Sequence, residues 1–190
     1  MVVTHGDQPP QKQQPIVSEL SRNRKLALLA GFLDGRKRIL EIGCGDGWFS
    51  DRLRRMGHEV VGLDVHGSAD LVGDIMDWEN LGLARGSFDV IVALEVIEHV
   101  DCLTAMTALC RPDGIIFLSS PHPKWDWAMK VLENLGLTQK RTSPHCNLTD
   151  FSELPLPILK LKRPLWIHQV GVFRNTPRSV ASQSGALSAD

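Results

Sequence analysis

The sequence predicts an α/β domain with a central, mostly parallel β-sheet and helices on both faces. Three observations carry that expectation. Segments with helical and with strand spacing alternate along residues 18–173. Two nearly continuous apolar runs, FDVIVAL at residues 88–94 and IIFLS at 115–119, have the character of strands covered on both faces. A short strand runs into three alternate glycines, Gly43, Gly45 and Gly47, and then into a helix. The chain has 190 residues, 43% hydrophobic and 23% charged, which is enough for one such domain and too apolar for wholesale disorder.

The elements follow in order. Residues 1–15 are rich in Gln and Pro and residues 175–190 in Ser and Ala, so both are expected to be tails around a domain at 16–174. Residues 18–33 place Leu20, Leu26, Leu29 and Leu33 at helical spacing, with Ser18 as N-cap and Gly35 beyond the end. A strand is expected at 38–42, a helix at 48–56 closed by Gly57, a strand at 59–65 and a shorter one at 70–72. After the apolar strand at 88–94, a helix over 102–110 stops at Arg111-Pro112-Asp113-Gly114. The strand at 115–119 and a helix at 124–135 complete the regular alternation. Pro155, Pro157 and Pro164 break any long element after that, and residues 159–173 hold one or two strands.

Composition excludes several functions. Twenty-one basic side chains against 22 acidic ones give a net charge of -1, with no basic surplus for a nucleic-acid partner. No apolar run approaches the roughly 20 residues of a membrane span, so no membrane insertion is expected. The first residues carry no apolar stretch of the secretory kind. Cys44, Cys102, Cys110 and Cys146 show no CxxC pairing and read as reduced thiols, not staples or metal ligands. The expectation is a cytoplasmic protein without a metal; nothing in the sequence decides its oligomeric state.

Sheets of this kind bind ligands beyond the carboxyl ends of their strands, so the loops there are the first place to look. The first of them reads Glu41-Ile42-Gly43-Cys44-Gly45-Asp46-Gly47-Trp48. A dinucleotide fingerprint has GxGxxG, and Trp48 stands where its third glycine would be. The GxGxG spacing, with Glu41 two residues ahead, resembles the first motif of the class I S-adenosylmethionine-dependent methyltransferases. Three further segments fall in that family's order. Asp64 ends the second strand, Gly73-Asp74-Ile75 resembles the adenine-binding segment, and SFDVIVALEVIEHV at 87–100 resembles the fourth-strand signature of small-molecule members. The resemblance covers residues 25–121 and fades beyond them. The stretch from Glu98 to Pro112 is about one helical turn shorter than the family pattern.

The resemblance implies a Rossmann-like, doubly wound fold of the class I methyltransferase kind. It implies S-adenosylmethionine as cofactor and S-adenosylhomocysteine as product. The cofactor would be held by Glu41, Gly43, Cys44, Gly45, Asp64, Val65, Asp74, Ile75, Leu94 and Glu95. Asp64 would accept from both ribose hydroxyls, a charge-assisted pairing. Asp74 and the Ile75 N–H would face the adenine, with Asp77 as the rival for the first role.

The acceptor is harder to read. Members that methylate amino groups of bases carry Asn/Asp-Pro-Pro-Tyr/Phe after the fourth strand; here the chain reads Leu94-Glu95-Val96-Ile97 and contains no Tyr. An oxygen or carbon nucleophile on a small molecule is therefore expected. Alignment alone supplies an effective molarity of roughly 10⁵ to 10⁸ M, so the family has no universal base. His122 and His145 are the candidates for one, and His99 is expected to hold its loop or border the substrate. Two alternatives stand beside this reading. One is a cofactor-binding module without catalysis; the other is a nicotinamide-dependent oxidoreductase, against which the GxGxG spacing argues.

Overall fold

A computed structural model describes residues 16–67, 69–123, 149–164 and 168–176. The expected helix at 124–135, His145 and Cys146 lie outside the described residues. The chain divides into two compact units, Met1–Phe32 and Leu33–Asp190. Helix α1 (Ile16–Ala30) is the described element of the first.

The second unit is built on a seven-stranded sheet. Its elements are β1 (Arg38–Ile42), α2 (Trp48–Arg55), β2 (Glu59–Asp64), β3 (Leu71–Val72), β4 (Phe88–Leu94), α3 (Leu103–Leu109), β5 (Cys110–Pro121), β6 (Ile158–Lys162) and β7 (His168–Arg174). A 3₁₀ turn at Ile75–Asp77 follows β3. The strand order is β3-β2-β1-β4-β5-β7-β6. The first five of these strands are parallel, and β7 runs antiparallel to both β5 and β6. Residues 159–173 thus form two strands, with the proline-containing segment before them and Pro164 between them.

Alternation along each strand loads both faces. On one, Leu40, Ile42, Ile91, Ala93, Ile116, Leu118 and Phe173 form a continuous core with Ala105, Met106 and Leu109 of α3. On the other, Phe49 of α2 stacks on Phe117 of β5 at 6.4 Å between ring centroids. A parallel sheet needs this double cover because its strands are apolar throughout, and the expected layers are the ones found.

One boundary differs in kind. Arg111-Pro112-Asp113-Gly114 is not a separate turn between helix and strand. β5 makes a rung with Phe88 at Cys110, bulges outward, and resumes opposite Val90 at Ile115. Asp113 takes a left-handed φ of 58°. A Cβ on Gly114 would sit 2.5 Å from Cys110 Sγ and 2.8 Å from the Asp89 carbonyl, so only glycine fits the bulge. The ordered chain also continues past Arg174. Asn175 Nδ2 donates to the carbonyls of Thr107, Cys110 and Arg111, and Thr176 Oγ1 donates to Asp113 at 2.8 Å.

Candidate active site

The strand order reverses direction between β1 and β4, leaving a crevice outside their carboxyl ends. The loops after β1, β2, β3, β4 and β5 all reach this edge. Gly43, Gly45 and Gly47 have φ of 71°, 54° and 73°, a left-handed run that side-chain-bearing residues resist. The Gly43 and Cys44 N–H groups donate to the Leu63 carbonyl at 2.8 and 3.2 Å, fixing the loop to the end of β2. A Cβ on Gly43 would stand 2.5 Å from Val96 Cγ2, so this turn is closed against the loop after β4. By contrast, a Cβ on Gly45 or Gly47 would meet nothing within 4 Å. The loop therefore presents bare main chain to open space.

Asp64 sits at the lip of that space. Its Oδ2 accepts from the Gly45 N–H at 2.8 Å and its Oδ1 from the His66 N–H at 3.0 Å. A carboxylate has about four acceptor positions, so one on each oxygen stays available for a pair of vicinal hydroxyls. Gly73 is pinned beside it, donating to the Asp64 carbonyl at 2.9 Å. Asp74 Oδ1 accepts from the Met76 N–H at 2.9 Å and caps the 3₁₀ turn, so this side chain has a local task as well as any ligand. Asp77, its rival, lies inside that turn and accepts from Asn80. Two apolar side chains flank the pair of loops, Val65 at 54% and Met76 at 53% exposure. Exposed apolar groups beside a ring of acceptors suit a flat heteroaromatic ligand. Met76 carried no signal in the sequence, because a lone Met between Ile75 and Asp77 marks nothing.

Glu41 and Cys44 face inward. Glu41 is buried on the α2 side of the sheet and accepts from Ser50 Oγ, so it braces the loop against the first turn of α2. Burial pushes its carboxyl up to about 7 even with the Ser50 hydrogen bonds opposing. Cys44 is buried too, and burial raises its thiol to about 11. Its side chain stays a neutral thiol, and its carbonyl accepts from the Gly47 N–H at 2.9 Å, closing the turn. Cys44, Cys102 and Cys110 are free.

The other end of the crevice is built from β4, β5 and β7. Leu94 ends β4, and Glu95 follows with a left-handed φ of 58°. Its N–H donates to the Ser119 carbonyl at 2.9 Å, and Ser119 Oγ donates back to Glu95 Oε1 at 2.7 Å. His122 is at the expected edge but is not presented to it. Its side chain is 1% exposed, with Nε2 3.6 Å from Asp150 Oδ2. Burial opposes charge on Asp150, yet hydrogen bonds from Ser152 and the charges of Arg163 and His122 hold its carboxyl below the usual range. This cluster joins the end of β5 to residues 150–152 and to Arg163 just past β6, so it fastens the fold. The expectation of His122 as an acceptor-facing group meets that burial. His99 follows the same loop as Glu95, its N–H donating to the Val96 carbonyl.

Comparison with known proteins agrees with this geometry. A family model described as a methyltransferase domain matches residues 13–154. The chain is 36% identical over 125 residues to a ubiquinone biosynthesis O-methyltransferase of Nitrosococcus oceani, covering 56% of this chain and 50% of the relative. A relative of the same name from Agrobacterium fabrum is 33% identical over 159 residues, covering 73% and 63%. The chain spans about half the length of the curated relatives it matches first. The magnesium protoporphyrin IX methyltransferase of Synechocystis PCC 6803, solved with bound S-adenosylhomocysteine, superposes with a TM-score of 0.60 at 15% identity, covering 88% and 90%. A SAM-dependent methyltransferase of Archaeoglobus fulgidus gives 0.55 at 15%, covering 82% and 93%. At those identities the structures speak for the fold alone, and the fold is theirs. With a matched model over most of its length and the glycine loop, strand-end Asp64 and strand order in place, the chain belongs to the methyltransferase-domain family.

Proposed function

We propose that this chain binds S-adenosylmethionine along residues 43–47 and transfers its methyl group to a hydroxyl oxygen of a small molecule. The observation that carries the reading is the Asp64–Gly45 contact, which sets a carboxylate beside bare main chain with open space above it. The bound cofactor would supply an electrophilic methyl group on a sulfonium sulfur. Asp64 would hold the ribose hydroxyls, and the methionine part would lie along the open main chain of the loop. Val65 and Met76 would enclose the adenine, with Asp74 and the Ile75 N–H on its edge. Leu94 and Glu95 would border the reacting end. Relatives named for ubiquinone biosynthesis make an aromatic hydroxyl the favoured acceptor class. His145, the other base the sequence offers, lies outside the described residues, and the compartment proposed is the cytoplasm. Among the described residues no helix is long and apolar enough to cross a membrane.

A cofactor-binding module without turnover is not favoured, because the relatives the chain matches are named as O-methyltransferases. The nicotinamide reading is disfavoured by family membership. Calorimetry with S-adenosylmethionine, S-adenosylhomocysteine and NAD tests the first step. Binding of the first two and not the third is expected; binding of NAD alone would overturn the proposal. Labelled methyl transfer to a panel of phenols then separates enzyme from module.

A further inference from the structure

Glu95 has an uncommon setting. It is one of two non-glycine residues with positive φ among those described, and it stands at the carboxyl end of a central strand. A left-handed backbone is unfavourable for such a residue, so something must hold it there. The Ser119 hydrogen bonds to its N–H and to Oε1 do so. They leave Oε2 facing His168, whose Nδ1 is 3.7 Å away. That separation is an ion-pair distance, longer than a hydrogen bond, and catalytic contacts of this kind commonly close only when the site fills.

His168 begins β7, paired with Pro121 at the end of β5, on the same sheet edge as the loops of the site. Its side chain is 47% exposed, unlike that of His122, which is buried against Asp150. Among the described histidines, His168 alone combines strand-edge placement, solvent access and a carboxylate facing Nδ1. A carboxylate facing Nδ1 favours the tautomer that carries its proton there and leaves Nε2 as acceptor.

We propose that His168, oriented by Glu95, is the general base that deprotonates the acceptor hydroxyl. The assignment rests on the methyltransferase reading above. The acceptor oxygen bonds to the methyl carbon as the carbon–sulfur bond breaks, with its electron pair passing to sulfur. The hydroxyl proton goes to His168 Nε2 and from the half-exposed imidazolium to solvent. The products are a methyl ether and a neutral thioether. Glu95 acts through His168 and is a positioning residue.

The test uses 4-nitrocatechol, a phenol whose ionised form has its own absorption band, with full-length protein. Calorimetry first establishes S-adenosylhomocysteine binding; its absence from folded wild type would overturn the methyltransferase reading itself. The probe is then titrated into the S-adenosylhomocysteine complex at a pH below its own ionisation. Wild type is expected to bind it with the ionised band. His168→Gln and His168→Ala should keep the calorimetric affinity for S-adenosylhomocysteine and lose the band, and Glu95→Gln should reduce it. Both His168 variants change a half-exposed side chain, and their melting curves check the fold. With S-adenosylmethionine and an accepted phenol, His168→Ala should lower kcat by about 10² to 10⁴, with KM for the cofactor unchanged. Failure of the complex to bind or ionise the probe would overturn the assignment to His168, as would equal ionisation by His168→Gln.

Discussion

The two halves of the sheet edge are built by different physics. At the ends of β1, β2 and β3 the site is main chain. Left-handed glycines and their N–H groups are held by hydrogen bonds to the end of β2, and Asp64 links two adjacent loops. At the ends of β4, β5 and β7 it is side chain. Glu95 meets Ser119 and His168, His122 meets Asp150, and buried Gln169 bridges the Phe151 N–H and the Thr149 carbonyl at 2.9 and 2.6 Å. The first half takes its shape from backbone conformations that particular residues allow. The second exists only once the antiparallel strands have closed. The contrast implies that ligand affinity concentrates in the first half, and that stability and acceptor chemistry share the second.

The sharpest way to break that division is Gly45→Val. A φ of 54° strains any β-branched residue, and its side chain would enter the open space over the loop. The dissociation constant of S-adenosylhomocysteine should rise by about a hundredfold or more, with a folded circular-dichroism spectrum. Unchanged affinity by calorimetry would remove the loop from the site.

Glu41 comes next, beneath the same loop. Its carboxyl titrates near 7 in the folded protein, because burial disfavours its charge, against 4.5 when unperturbed. The folded state therefore binds more protons than the unfolded one between those values. Glu41's contribution is fully present below about pH 4.5 and is lost as pH rises through 7. It is on the order of 3 kcal/mol. Urea midpoints should fall across that window in wild type and fall less in Glu41→Gln. An identical slope in the variant would place the buried charge elsewhere.

Asp64→Ala should weaken cofactor binding by about 1.5–3 kcal/mol, roughly a tenfold to hundredfold change in Kd. Normal binding would mean that the ribose is held elsewhere. The complementary change in the other half is Gln169→Leu. It orphans the buried Phe151 N–H and Thr149 carbonyl and should cost about 1–3 kcal/mol of stability. S-adenosylhomocysteine affinity of the folded variant should stay within about twofold, since a few tenths of a kcal/mol is the usual reach of distant sites. A large loss of affinity there would show that the two halves are coupled.

What was legible in the sequence follows the same line. The strands at 38–42 and 88–94 coincide with β1 and β4, and helix α2 ends one residue before the expected Met56. Each is announced by an apolar period or by a glycine within a few residues. Arg111-Pro112-Asp113-Gly114, where the expected helix stops, is a bulge within β5; Pro-Asp-Gly looks the same in a loop and in a bulge, and only pairing with β4 tells them apart. Asn175 looked like tail because its neighbours are small and polar. Its amide is spent on carbonyls up to 68 residues away.

By itself, then, the sequence determined what is local: strand and helix periods, the glycine turn that leaves main chain bare, and the carboxylates of Asp64 at the end of β2 and Asp74 just past β3. These depend on φ preferences and on spacing along one segment, which any chain displays before it folds. Tertiary structure decided which polar side chains meet. It buried His122 against Asp150, left His168 half exposed beside Glu95, and set Ser119 to hold that glutamate in its left-handed turn. Those pairings depend on the register of β7 against β5, and register is fixed by the whole sheet rather than by any one segment's sequence.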